Sequence, residues 1–198
     1  AIKQLEDLVT TLKGQKASED LVAHVEFRRL WADYGKALSD PKAGTDYAKI
    51  QAAWLESLEK FIADYPKSPD AGEAMLQLGM SKEFAGEEEE AVSWYKRLST
   101  EFASTDAGKK ATGAMRRLDS IGKPFRLQGK DARGAQFTLA SVQNKVVLVH
   151  YWATWCEPCK TDMKVIKDLY AKHGGRGFEV VGVNLDSNSE QAKNYIAS

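Results

Sequence analysis

The chain has 198 residues, about one and a third times the roughly 150 of a typical domain, so one large domain or two small ones is the starting expectation. With 43% hydrophobic and 28% charged residues the composition excludes a disordered or collagen-like chain, and 28 Lys+Arg against 28 Asp+Glu leaves no global field to attract nucleic acid or an anionic membrane. No stretch approaches the about 18 apolar residues of a membrane-spanning helix, so no span is expected. The first residue is Ala1 and no basic-then-apolar leader follows, which fits an excised segment or a mature product that has lost a targeting segment.

Residues 1 to about 121 predict helix after helix. Leu5, Leu8, Val9 and Leu12 recur at three- and four-residue spacing, and Val22, Val25, Leu30, Trp31, Tyr34 and Leu38 form a second stripe. A third helix is expected from about Thr45, read as its N-cap, through Ile50, Trp54, Leu58 and Phe61 to Tyr65, where Pro66 stops it. Ser68-Pro69-Asp70 opens a fourth with Ala74, Met75, Leu78 and Phe84, closed by Gly86. Glu87 to Glu90 reads as an acid-rich first turn favoured by the helix dipole, since no loop of calcium-binding spacing surrounds it. The fifth helix carries Ala91, Trp94, Tyr95, Leu98 and Phe102, and the sixth Ala107, Ala111, Met115 and Leu118.

This region resembles itself. Trp54, Leu58, Phe61 and Tyr65 fall 37 positions before Ala91, Tyr95, Leu98 and Phe102, and Asp-Ala-Gly at 70–72 recurs at 106–108. A period near the ~34 residues of tetratricopeptide repeats fits stacked helical hairpins around a shared apolar seam, while any six-helix bundle would give similar stripes. Tyr-Pro-Lys-Ser-Pro-Asp-Ala, 65–71, resembles the degenerate helical repeats of bacterial envelope proteins.

After Gly122-Lys123-Pro124 the pattern changes, placing a domain boundary at 121/122. Phe125, Leu127, Phe137 and Leu139 sit in short alternating stretches around a Gly129 to Gly134 turn, a β-hairpin. Lys145 to Trp152 reads as a buried central strand, Glu157 to His173 as a helix with Met163, Ile166, Leu169 and Tyr170 on one side, and Phe178 to Leu185 as a second buried strand. Residues 188–198 begin another helix. Strand, helix, strand implies a right-handed parallel crossover.

Cys156 and Cys159 are the only cysteines, and Cys156-Glu157-Pro158-Cys159 falls where strand gives way to helix. There the first sulfur meets unsatisfied backbone N–H groups and the positive end of the dipole, which favour a thiolate. Free cysteine titrates near ~8.5, helix-start cysteines at about 3.5–7.5. The second sulfur, one turn along, is within reach to close a ring and expel a mixed disulfide. Pro158, lacking an N–H, fits an early helical position, and Trp155 is placed to cover the pair. Zinc would need four ligands, and neither a second cysteine pair nor ligand spacing among His24, His150 and His173 exists, so no metal or other cofactor is expected.

The segment Val-Val-Leu-Val-His-Tyr-Trp-Ala-Thr-Trp-Cys-Glu-Pro-Cys, 146–159, resembles the thioredoxin superfamily. With the preceding Phe125, Leu127 and Gly129, and Gly-Phe-Glu-Val-Val-Gly-Val-Asn-Leu-Asp at 177–186, it is most similar to the TlpA/ResA-like branch, over roughly residues 122 to 198. The resemblance implies a thioredoxin-like α/β domain behind an all-α helical-hairpin domain, and a periplasmic or otherwise extracytoplasmic thiol-disulfide oxidoreductase. It further implies Cys156 as attacking and Cys159 as resolving cysteine, Trp155, Glu157 and Pro158 as substrate contacts, a disulfide-containing protein substrate and an upstream thiol reductant.

Two departures stand out. Where thioredoxins place a buried acid six positions before the attacking cysteine, this chain has His150, which reads either as a proton relay for the resolving cysteine or as a hydrogen-bonded core histidine. The family continues through a cis-proline strand, and no proline follows Pro158 here, so the redox domain is expected to be truncated, with an open sheet edge that invites a homodimer and makes a poor reductase. A scaffold in which the helices bind protein and the redox module is inactive is the alternative from another class. A peroxidase is disfavoured, because peroxidatic cysteines lie in Pro-x-x-x-Thr-x-x-Cys and here Thr154 stands two before Cys156 with no proline. Whether electrons enter or leave the pair is not written in the motif, as related folds span about −270 to −120 mV.

Overall fold

The computed structural model describes residues 2–40, 43–142 and 144–197. The chain divides into two compact units, residues 1–123 and 124–198.

The first unit is all helix: α1 (Ile2–Gly14), α2 (Glu19–Ser39), α3 (Ala43–Asp64), α4 (Pro69–Phe84), α5 (Glu88–Glu101) and α6 (Asp106–Leu118). Each helix packs on the next, and α2 also meets α4 and α4 meets α6. Local chemistry sets the starts. The Ser18 and Thr105 hydroxyls accept the Leu21 and Gly108 amides, and the Ser68 hydroxyl accepts the Asp70 amide with Pro69 at the first helical position. Helix α3 starts two residues before Thr45, so Thr45 lies inside the first turn rather than at its cap. Gly86 takes φ +78, the left-handed turn that ends α4.

The apolar stripes of α2 to α6 meet in a core of Phe27, Trp54, Leu58, Phe61, Ile62, Met75, Leu78, Tyr95 and Leu98, to which both members of the 37-residue repeat contribute, while Val9, Val22 and Val25 form a smaller second cluster between α1 and α2. Both Asp-Ala-Gly glycines approach Phe102: a Cβ on Gly72 would sit 3.3 Å from its ring, and one on Gly108 only 2.1 Å from its carbonyl oxygen. Four expected core residues lie outside, Trp31 on α2 among them. Phe84, at the last position of α4, is 89% exposed, and Leu8 and Leu38 are exposed on α1 and α2. A stripe of apolar residues wider than its neighbour leaves its margins in water.

The second unit opens with the hairpin β1 (Gln128–Lys130) and β2 (Gln136–Thr138), antiparallel, with Gly129 opposite Phe137. Its turn runs over 131–135, later than expected, because the Asp131 carboxylate accepts the Arg133 and Ala135 amides and Gly134 supplies φ +86. Phe125 and Leu127 precede the strand rather than lying in it. Then come β3 (Val146–Trp152), α7 (Glu157–His173), β4 (Phe178–Asn184) and α8 (Ser189–Ala197). The β3 and β4 strands pair in parallel from Val146 opposite Phe178 to Trp152 opposite Asn184, with α7 as the crossover.

The strands were expected to be buried and central, and they are not fully so. Among the described residues the sheet is these two strands alone; Val146 is 73% exposed, α7 has no buried residue, and Leu169 and Tyr170 of its expected apolar side face water. Two strands offer too little surface to cover a five-turn helix. No helix among the described residues is long and apolar enough to cross a membrane.

Candidate functional site

The site grows from the end of β3. The ladder closes where the Leu185 amide donates to the Trp152 carbonyl at 2.8 Å. Trp152 and Ala153 are buried, and the Trp152 ring lies 5.6 Å from that of Tyr195 on α8. Gly182 permits this: a Cβ there would stand 3.2 Å from the indole nitrogen. The backbone then turns, with the Cys156 amide donating to the Ala153 carbonyl at 3.1 Å, and α7 begins at Glu157.

Cys156 is the N-cap of that helix. Its Sγ accepts the Cys159 amide at 3.3 Å, and the two sulfurs are joined in a disulfide with Cα atoms 5.3 Å apart. Pro158 occupies the first turn, where its missing donor costs nothing. A sulfur in this place is bathed by α7's free N–H groups, the arrangement that favours a thiolate over a thiol once the bond is reduced.

Around the pair stand the other residues the sequence singled out. Trp155, next to Cys156 in the chain, is 73% exposed. Glu157 is exposed and accepts the Lys160 ammonium at 2.6 Å, and that hydrogen bond holds Lys160 above its ordinary range. Lys160 also lies 5.7 Å from the Tyr195 ring centroid. His150 sits partly buried on the Trp152 face of β3, opposite Gly182, and makes no hydrogen bond to either sulfur. The structure therefore brings Trp155, Glu157 and Pro158 to the cysteines through chain continuity and leaves His150 without a drawn link to them.

Sequence reasoning missed Asp186. Two residues past the end of β4, its carboxylate accepts the Thr154 amide at 3.1 Å on each oxygen, the Thr154 hydroxyl at 2.9 Å and the Asn184 side-chain amide at 2.6 Å. Burial pushes Asp186 up, but the hydrogen bonds from Asn184 and Thr154 outweigh it and hold its carboxyl below the usual range. The signal in the sequence was Asn-Leu-Asp at a strand end, a polar pair where the ladder stops. No group of three or more His, Cys, Asp or Glu placed to hold a metal ion occurs among the described residues.

Comparison with known proteins bears on this arrangement. The AhpC/TSA family model matches residues 121–197. Over 58 residues the chain is 40% identical to the thiol-disulfide oxidoreductase ResA of Oceanobacillus iheyensis, covering 29% of this chain and 30% of that protein. Residues 121–197 are thus similar to the AhpC/TSA family model and, over part of that span, to ResA thiol-disulfide oxidoreductases. The ResA of Bacillus subtilis is 30% identical over 69 residues, 35% of this chain and 38% of its own length. A solved thiol:disulfide interchange protein of the thioredoxin family from Chlorobium tepidum aligns at 29% identity over 36% of this chain and 50% of its own, with a TM-score of 0.34. The chain thus spans about a third of the length of the curated ResA relatives it matches.

Proposed function

We propose that the chain is a thiol-disulfide oxidoreductase acting on disulfides of extracytoplasmic proteins. The observation that carries this is Cys156 Sγ at the N-terminus of α7, receiving the Cys159 amide and bonded to Cys159. In the reduced state the Cys156 thiolate attacks a substrate disulfide; one substrate sulfur leaves as thiolate and takes a proton, and a mixed disulfide forms. Cys159 gives up its proton and attacks Cys156 Sγ, releasing the second substrate thiol. The substrate gains two electrons and two protons, and the pair returns to the disulfide, to be reduced by an upstream dithiol. Exposed Trp155, Glu157 and Pro158 lie beside the sulfur where a substrate surface would rest. His150 as proton relay is the weaker element, since it bonds to neither sulfur. The extracytoplasmic setting is carried by the likeness of 146–159 to the TlpA/ResA-like branch, and the boundary at 121/122 by the change from helical stripes to alternating strands.

The test is trapping. Reduced Cys159→Ser should accumulate a mixed disulfide with a disulfide-bonded peptide, and Cys156→Ser should not. If both variants trap equally, the roles assigned to the two sulfurs are wrong.

A second reading has its own observation. Of the buried apolar side chains, those beyond residue 123 are Trp152, Ala153 and Ala192 alone among the described residues, so the substantial core belongs to the helices. In that reading residues 1–121 form a tetratricopeptide-like scaffold for a protein partner, with the redox pair secondary. Replacing both cysteines by Ser separates the two readings: partner capture survives in the scaffold reading, and disulfide exchange is lost in the enzymatic one.

A further inference from the structure

We propose that Asp186 is the positioning residue of the redox turn: by gripping Thr154 it holds Cys156 at the N-terminus of α7, and the reactivity of the reduced sulfur depends on that grip. The inference deepens the oxidoreductase reading and rests on it.

Cys156 is located by a short series of ties. The β3–β4 ladder ends at Trp152 and Asn184, the Leu185 amide makes a last bond to the Trp152 carbonyl, and the two chains then part. Across the gap the next tie is Asp186 to Thr154, both of its carboxylate oxygens receiving the Thr154 amide and one receiving the hydroxyl. After that the Cys156 amide on the Ala153 carbonyl closes the turn, and the Lys160 amide on the Cys156 carbonyl at 3.2 Å begins the helix. In the oxidised state the disulfide adds a covalent link from Cys156 to α7. Reduction breaks that link, and the Asp186 grip is then the side-chain tie that, with the backbone bonds of the turn, keeps the sulfur against the helix N–H groups.

The residue must be a carboxylate. It accepts from Thr154 N, Thr154 Oγ1 and Asn184 Nδ2 at once, and its own amide donates to Asn184 Oδ1 at 3.1 Å, which orients the Asn184 amide group. An Asn at 186 would turn an NH2 toward one of these donors. A negative charge near the sulfur would by itself disfavour the thiolate. Here the Thr154 and Asn184 dipoles already point at that charge and spend its field locally, so the positional effect decides the sign. The other titratable groups on β3, on the first turn of α7 and on α8 are His150 and Tyr151, Glu157 and Lys160, and Glu190, Lys193 and Tyr195. Glu157 with Lys160 and Glu190 with Lys193 are paired, and all seven stay unchanged in the variants below.

The experiment is the pH profile of Cys156 alkylation in the reduced full chain with Cys159→Ser in every protein, compared among Asp186, Asp186→Asn, Asp186→Ala and Asp186→Glu. Expected is a thiol titration that moves up toward ~8.5 in Asn and Ala, with alkylation at pH 7 falling several-fold, about tenfold for each unit the titration rises, and partial recovery in Glu. Thr154→Val should weaken the effect of Asp186→Ala in the double variant, because the grip then has less to hold. A profile unchanged or moved down in both Asn and Ala overturns the proposal, whatever happens to stability. If Asp186→Ala loses its circular dichroism, Asp186→Asn and Thr154→Val decide by the same profile. Should the parent chain exchange no disulfide at all, the oxidoreductase reading fails, while the alkylation profile still decides the role of Asp186.

Discussion

The ring of Tyr95 on α5 lies directly against Gly79 on α4, so that a Cβ on Gly79 would stand 2.5 Å from the ring. Tyr95 cannot step aside: it is buried, and its hydroxyl donates to Glu83 at 3.0 Å. In an open helical site Gly to Ala stabilises by about 1 kcal/mol. At Gly79 the clash outweighs that gain, and Gly79→Ala is expected to destabilise the helical unit by about 1–3 kcal/mol, the usual cost of overpacking. Gly113 of α6, with nothing within 4 Å of its Cβ position, is the control and should be neutral or stabilised. Urea midpoints of the two variants check the pair; a stable Gly79→Ala would mean the α4–α5 contact is looser than described.

The same contact leads to a pH dependence. Glu83 receives Arg117 at 2.8 Å and the Tyr95 hydroxyl, and these bonds, Arg117 first, hold its carboxyl below the usual range despite some burial. A carboxyl depressed in the folded state adds stability that is present above its unfolded pKa, near ~4.3, and is lost as pH falls through the folded value. Tyr95 works at the other end: burial and then Glu83 raise it, so its contribution is full below ~10 and fades as pH climbs toward the raised value. Glu83→Gln should flatten the acid limb of a stability-versus-pH curve. An acid limb of the same slope in wild type and variant would show that another carboxyl sets it.

How far the chain could be read from its residues differs between the units. In the helices, stripe and cap agree most clearly at α4: Ser68-Pro69-Asp70 starts a helix because hydroxyl, missing donor and acid all favour that geometry, and the core that Leu58, Leu78 and Leu98 form follows from spacing alone. Phe84 misled because periodicity gives a direction around the helix and says nothing about where the neighbouring helix ends. At the redox site the cysteine pair was legible, since its chemistry is local in sequence. Asp186 was not, because its partner Thr154 is 32 residues away and only the parallel register of β3 and β4 brings them together. The depth of burial in β3 was overread for a similar reason: Val-rich runs report what a strand can bury, and Val146 is bare where no further strand covers it among the described residues.

Those bare edges carry a prediction. Each of β3 and β4 has one side without a partner strand among the described residues, and Val146, Tyr151 and Leu185 near them are exposed. Unpaired N–H and C=O rows beside apolar side chains recruit other strands. The purified 198-residue chain is expected to self-associate in a concentration-dependent way, and Val146→Lys, which puts a charge on the edge, to shift it toward monomer. Light scattering across a dilution series reads this directly. A monodisperse monomer at the highest concentration would contradict it.

Glu157 sits between the two sulfurs in sequence, and its charge bears on the thiolate in a calculable direction. Its carboxylate disfavours a neighbouring thiolate, but it is exposed and already shares its charge with Lys160 at 2.6 Å. Glu157→Gln removes the negative charge and frees the ammonium, and both changes favour the Cys156 thiolate. Exposed pairs are screened and worth little, so the thiol titration should move down only slightly. The alkylation profile that reads Asp186 also reads this: at pH 7 the Glu157→Gln sulfur should react slightly faster, less so as salt is raised. Lys160→Ala should move the titration the other way, since it strips away the cation and leaves Glu157 unopposed. A downward shift in both variants would mean that the pair acts through the start of α7 rather than through its charges.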